Sequence, residues 1–203
     1  MRHDCPRLTI EAAVMRMTRF EKRFVNNNGH SRRVAEEAVR RLRRLPVARG
    51  WSYLDVGCGN GAAALRVAET FDARVVGVDV DPEQIALARA AAGDRADARF
   101  MTADATSLPF ADGLFDIVAT NKTTHHVPQW SLALAEMRRV LKPRGYLVYA
   151  DLTAPTWLAW VLKPFAGDTG VFTAADLDRT FASLQLVHRH AGWLHYQAIL
   201  QKP

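Results

Sequence analysis

Cysteine is almost absent: Cys5 and Cys58 are the only two in 203 residues, and they stand far apart. A disulfide framework is therefore excluded, and a thiol set in a glycine turn fits a reducing compartment, so a cytoplasmic location is expected. Long apolar runs are missing too, and no stretch approaches the roughly 20 residues that a membrane-spanning helix requires. The opening MRHDCPRLTIEAAV has basic residues but no unbroken apolar core, so neither a signal peptide nor an anchor is expected. The seven histidines follow no metal-ligand spacing, with no H-E-x-x-H among them, and no metal is expected. Zinc-finger spacing, internal repeats, low-complexity tracts and an interdomain linker are also missing.

The proportions that remain, 49% apolar and 24% charged, are those of an ordinary globular chain, long enough for one domain with its own core. Much of the net charge of +6 lies before residue 50, above all in RRVAEEAVRRLRRLPVAR (32–49). Such a run suits nucleic acid, an anionic membrane surface or an acidic substrate, and equally the solvated face of an arginine-rich helix. Without an RNA-binding signature carrying interleaved aromatics, the helical face is the favoured reading and nucleic acid is not expected as a partner.

Apolar residues at helical spacing predict a first helix over 8–24, broken by VNNNGH (25–30). Ser31 can cap a second helix running to about Leu45, with Val34, Ala38, Leu42 and Leu45 as its apolar stripe and Pro46 ending it. From Trp51 strands and helices alternate: strands at 51–56, 73–80, 98–104, 115–121 and 145–152, with helices at 61–70, 82–92 and 130–141. Units of about 25 residues argue for a parallel sheet covered on both faces. Two strand-like runs around Ala191-Gly192 (184–201) read as a closing hairpin that adds an antiparallel edge. The whole chain, 1–203, reads as one domain. It has an N-terminal helical cap (1–50), a core (51–152), an insert with a helix (153–183) and the hairpin (184–203).

The core opens on LDVGCGNGAA, where Gly57, Gly59 and Gly61 follow a strand and precede a helix. Missing side chains let a backbone pass close to a ligand, with helix N-terminal amides nearby. Asp79 ends the next strand, where a carboxylate can take two ribose hydroxyls. The turn is G-x-G-x-G rather than the G-x-G-x-x-G that serves a pyrophosphate, and Asp55 would repel phosphates while favouring a cationic or amino-bearing ligand. A nucleoside without phosphate fits better than a nicotinamide dinucleotide.

Residues 51 to about 152 resemble class I S-adenosylmethionine-dependent methyltransferases, of the small-molecule type that includes quinone-biosynthesis enzymes. LDVGCGNG is similar to the family's first motif, VVGVDVDPEQIALAR to its second strand and helix, ADATSLPFADGLFDIV to its adenine-side segment, and HHVPQWSLALAEMRRVLKPRGYLVYADL to the stretch closing its core. The resemblance implies a doubly wound α/β, Rossmann-like, mostly parallel seven-stranded sheet of order 3-2-1-4-5-7-6, with N-terminal helices and a C-terminal antiparallel hairpin. It implies S-adenosyl-L-methionine as cofactor, with Asp55, Gly57, Cys58 and Gly59 facing the methionine part and ribose. Gly61 would allow close backbone approach, Asp79 hold the ribose, Val80 pack on the adenine, and Asp104, with Ala105 beside it, accept from the adenine amino group. Asn121 completes the cofactor-binding set. KPRGY departs from the pattern, with Arg144 where a glycine is common. The Asn-Pro-Pro-aromatic signature of nitrogen-directed members is absent: NKTTHHV follows the fourth strand instead.

Methyl transfer needs an in-line acceptor lone pair and often a base for the acceptor's proton. The candidates are His126, then His125, with Asp151 as an orienting acid. Trp157, Trp160, Phe165 and Phe172 in the insert, and Phe20, Phe24 and Asn28 in the N-terminal arm, are expected around a small, partly apolar or aromatic acceptor. Lipid or nucleic-acid methylation through the basic helix, and nicotinamide-dependent oxidoreduction, are the alternatives. Surface association with a membrane and self-association remain open at this point.

Overall fold

The structure is a computed structural model that describes residues 27–159 and 171–203. The expected helix over 8–24, with Cys5, Phe20 and Phe24, and the insert residues Trp160 and Phe165 lie outside the described residues.

The element order is α1 (Asn28–Leu42), β1 (Ser52–Val56), α2 (Ala62–Phe71), β2 (Arg74–Asp79), α3 (Pro82–Ala92), β3 (Ala98–Thr102), β4 (Phe115–Asn121), α4 (Trp130–Val140), β5 (Leu141–Leu152), α5 (Ala174–Thr180), β6 (Gln185–Ala191) and β7 (His195–Gln201). The strands form one sheet of order β3-β2-β1-β4-β5-β7-β6. The first five are parallel, and β7 and β6 are antiparallel additions. The parallel part puts the C-terminal ends of β1, β2, β4 and β5 along one edge, the edge at which open α/β sheets receive ligands. The turn between β6 and β7 lies at that edge as well, because Leu152 at the end of β5 pairs with His195 at the start of β7.

Alternation along the strands sends side chains to two separate cores. Leu54, Val56, Val118, Leu147 and Tyr149 pack with α4 and α5 through Leu134, Met137 and Leu177. Tyr53, Val75, Ile117 and Val148 pack with α1, α2 and α3 through Leu42, Val67 and Ile85. Phe172 is fully buried in the first core against Trp130, with ring centroids 5.0 Å apart, so it is a packing residue and not the pocket wall expected of it. Trp157 is exposed.

Pro82 opens α3 behind an Asp81 cap whose carboxylate accepts from the Glu83 N–H at 2.9 Å. The cap of α1 differs from expectation. Asn27, not Ser31, caps it, its Oδ1 accepting from the Gly29 N–H at 2.9 Å. The helix therefore begins inside the run of turn formers, because an amide oxygen at Asn27 meets the free N–H groups one turn before a hydroxyl at Ser31 would. Ser31 instead accepts from Asn60 Nδ2 at 2.9 Å, tying α1 to the glycine turn.

β5 also starts earlier than expected. Leu141 pairs with Phe115, the register then shifts, and Tyr146 pairs with Ile117. In the intervening residues Arg144 takes a φ of 62°, a left-handed backbone that costs a non-glycine residue about 1–2 kcal/mol. Arg144→Gly should relieve that strain at a smaller entropic cost and stabilise the fold by about 0.5–1 kcal/mol. A raised urea midpoint is the expected reading; a lowered one would mean that the arginine side chain contributes more than its backbone strain removes.

Candidate functional site

The glycine turn hangs from the end of β1 and is pinned to β2: the Gly57 and Cys58 N–H groups both donate to the Val78 carbonyl, at 2.8 and 3.0 Å. Gly57, Gly59 and Gly61 all have positive φ (76°, 53° and 79°). Their surroundings separate their roles. A β-carbon at Gly57 would run into Thr123, and one at Gly61 would fall 2.9 Å from Ala88 Cβ and from the Phe100 ring. At these two positions packing alone already requires a glycine. Gly59 faces space, its nearest neighbour being Gln84 Oε1 at 3.8 Å from where a β-carbon would sit. The Cys58 thiol is buried in the core with Phe100, Ile85 and Ala88, and burial pushes its pKa up.

Asp79 accepts from the Gly59 N–H through Oδ2 (2.9 Å) and from the Asp81 N–H through Oδ1 (3.0 Å). One lone pair on each oxygen remains for a further donor. Burial raises its pKa, partly offset by those N–H groups. Asp55 is only 5% exposed and accepts no hydrogen bond among the described residues. Desolvation first, then the negative charge of Asp79, pushes it up to about 7. Beside it a cavity of about 20 Å³ is lined by Val34, Ala38, Arg41, Thr120 and Asn121. Thr120 Oγ1 is buried there without a partner among the described residues. Arg41 spans this corner, donating to Asn121 Oδ1 and to Glu37, each at 3.2 Å.

At the ends of β2 and β3, Val80 is 38% exposed and the Ala103 N–H donates to the Asp79 carbonyl at 3.0 Å. Asp104 is exposed, its Oδ1 accepting from the Thr106 N–H and hydroxyl at 2.8 Å; Ala105 beside it is half-buried. Asp79, Val80, Asp104 and Ala105 thus share one end of the site. Arg41 and the buried Gln84, whose Oε1 has no partner among the described residues, were not foreseen. The apolar phase of α1 carries the signal for Arg41, which lies one residue from the inward Leu42. Nothing in the sequence singles out Gln84.

The loop after β4 forms the other end. Thr123 packs on Gly57 and its hydroxyl donates to the Val56 carbonyl at 3.4 Å, so the loop sits directly on the glycine turn. A 3-10 turn, Thr124–His126, follows. His125 Nδ1 lies 2.5 Å from Asp151 Oδ1, and the Asp151 side chain is fully buried. His126, ranked first from sequence, lies against His125 with its ring tilted by 42°, centroids 3.9 Å apart. With Nδ1 against Asp151, Nε2 is the His125 ring nitrogen turned away from that carboxylate. Asn121, expected at the cofactor, holds Arg41.

Residues 54–149 match the family described as "Methyltransferase domain". The chain is 32% identical over 160 residues to the uncharacterised methyltransferase sll0829 of Synechocystis, covering 77% of this chain and 70% of that one. It is 38% identical over 124 residues to the 27-O-demethylrifamycin SV methyltransferase of Amycolatopsis mediterranei, covering 57% of this chain and 46% of that one. A crystal structure of a SAM-dependent methyltransferase from Aquifex aeolicus superposes with a TM-score of 0.71 at 16% identity, over 93% of this chain and all of that one. The chain spans about a third to a half of the length of most curated relatives it matches.

The elevated carboxyl of Asp55 has a stability consequence. The folded state holds a proton that the unfolded chain, with its ordinary value of 3.8, has released, so this group's contribution falls as pH rises towards about 7. Asp55→Asn removes the dependence. Its stability relative to the parent should rise by about 2–3 kcal/mol between pH 5 and pH 8 in urea unfolding. A constant difference across that range would mean the carboxyl is not elevated.

Proposed function

Since the chain belongs to the class I S-adenosylmethionine-dependent methyltransferase family, we propose that it methylates a hydroxyl of a small, partly apolar organic acceptor. The observation that carries this reading is the contact between His125 and buried Asp151, on a loop seated against the glycine turn.

The residues present fit the cofactor. The desolvated Asp55 and Asp79, with raised pKa values, suit a cationic ligand and disfavour a phosphate-bearing one. Asp79 would hold the ribose hydroxyls on its spare lone pairs, Gly59 would let the ligand lie on bare backbone, and Val80, Asp104 and Ala105 would meet the adenine. Arg41, Asn121 and Asp55 offer a cation, an amide and an anion at one corner, the set that an α-amino acid head requires. When bound, S-adenosylmethionine supplies a sulfonium methyl electrophilic enough for an acceptor lone pair held in line.

The protein's own contribution is the proton. His125 Nε2 accepts the acceptor's hydroxyl proton, and Asp151 stabilises the imidazolium that results through the Nδ1–H bond. This favours an acceptor with a removable proton, in keeping with the O-methyltransferases among the relatives. Leu152, Trp157, Trp193 and Leu194 are exposed at the same strand edge, with the Thr153 N–H bonded to the Leu194 carbonyl at 3.1 Å. That apolar rim supports an aromatic or aliphatic acceptor body.

Two variants test the reading by separating binding from chemistry. Asp79→Ala should weaken S-adenosylhomocysteine binding in calorimetry by about 100-fold, as two charge-assisted hydrogen bonds are lost. His125→Ala should leave that affinity within about threefold. It should lower S-adenosylhomocysteine release over a panel of phenols, hydroquinones and aliphatic alcohols by about 10²–10⁴-fold. Full turnover in His125→Ala would remove it as the base.

A further inference from the structure

Asp151 lies at the centre of a buried hydrogen-bond chain longer than the histidine contact requires. Its Oδ1 accepts from His125 Nδ1 (2.5 Å) and the Leu152 N–H (2.7 Å). Its Oδ2 accepts from the Thr124 N–H (2.7 Å), the Thr124 hydroxyl (2.5 Å) and the His125 N–H (3.3 Å). Behind Thr124, its Oγ1 lies 2.6 Å from the Tyr149 hydroxyl. Thr124, Tyr149 and Asp151 are all buried.

Counting protons fixes the direction of the chain. An ionised carboxylate only accepts, so the single Thr124 hydroxyl proton goes to Asp151. Thr124 Oγ1 must then accept from Tyr149, whose proton has no other destination in the chain. Burial, and next the charge of Asp151, push the Tyr149 pKa up, so the phenol stays a neutral donor. Its ring is held edge-on by Phe181 and Tyr196, with centroids 5.2 and 6.1 Å away. Tyr196 does not compete for Thr124, because its own hydroxyl donates to Asp178 at 2.7 Å.

We propose that Thr124 and Tyr149 are positioning residues that lock the Asp151 carboxylate in the one rotamer that keeps His125 in its Nδ1–H tautomer, with Nε2 turned to the acceptor. The inference rests on the reading of His125 as the base. It adds that the tautomer is set two residues further back, by a hydroxyl relay from β5 through the 3-10 turn. Without the Thr124 hydroxyl, one lone pair of Oδ2 and the Tyr149 proton are both unpartnered in the interior, and the carboxylate is released from the geometry that selects Nδ1–H.

The test is the ¹⁵N spectrum of the His125 ring in the full chain at pH 8, assigned by its loss in His125→Ala. The parent protein should show a single Nδ1–H tautomer. Thr124→Val and Tyr149→Phe should each introduce a resolvable Nε2–H population, and Thr124→Ser should restore the parent spectrum. Turnover on whichever acceptor of the panel is methylated should fall roughly 10- to 100-fold in kcat in Thr124→Val, with KM little changed. If Thr124→Val does not fold, Tyr149→Phe, which removes one oxygen and keeps the ring, decides by the same spectrum. An Nε2–H tautomer in the parent protein, or parent-like spectra in both relay variants, would overturn the proposal. Full turnover in His125→Ala would instead sink the base assignment, whatever the relay spectra show.

Discussion

Two carboxylates withdrawn from water at the ends of neighbouring strands, Asp55 on β1 and Asp79 on β2, set the terms for the rest of the ligand edge. Burial raises the pKa of both, the charge of Asp79 raises that of Asp55 further, and a fold selected for stability alone would have no use for the pair. What keeps them in place is backbone. Asp79 is fastened by the Gly59 and Asp81 N–H groups, and the turn carrying Gly59 is fastened to β2 through the Val78 carbonyl. Asp79 and the glycine turn are therefore one unit: moving either breaks the hydrogen bond between Gly59 and the Asp79 carboxylate.

The histidine end depends on the same unit by contact. Thr123 fills the space that a side chain at Gly57 would need, so the loop carrying Thr124, His125 and His126 has its position set by the absence of a β-carbon on β1's turn. Asp151 then anchors that loop from β5 through Thr124 and His125. The glycine-turn end and the histidine end are joined across β1, β4 and β5 by one glycine and one carboxylate. α1 closes the arrangement from outside, through Ser31 on Asn60 and Arg41 on Asn121.

Much of this was legible in the sequence because the elements concerned are specified locally. Apolar runs such as VVGVD marked strands, and alternating units implied the parallel sheet. Two strand-like runs marked the hairpin, the strand order followed from the family resemblance, and the sheet of order β3-β2-β1-β4-β5-β7-β6 agrees with both. The remainder depended on contacts between distant segments. The three glycines look alike in the sequence, yet Thr123, Phe100 and Ala88 decide at which of them packing leaves no room for a side chain. Two adjacent histidines cannot be ranked until a 3-10 turn sends one of them to Asp151. Tyr149 and Asp151, two apart on one strand, share a face by simple alternation. That Thr124 would come between them is set only by how the β4 loop lands.

The contrast with other acids in the protein shows that the site's electrostatics are local and not a property of the fold. At the opposite end of the sheet, Asp116 is also partly buried, but Lys142 and Ser52 bond to it and hold it below its usual range against that desolvation. Arg139 does the same for Glu136, Arg95 for Asp97, and Arg189 with Tyr196 for Asp178 against its partial burial. The chain is rich in arginine and places it beside these acids. It places Arg41 within the same corner as Asp55 and yet turns that guanidinium to Glu37 and Asn121. An acid left without its cation, in a protein that supplies one to carboxylate after carboxylate elsewhere, is an acid that a cationic group brought into the site would stabilise.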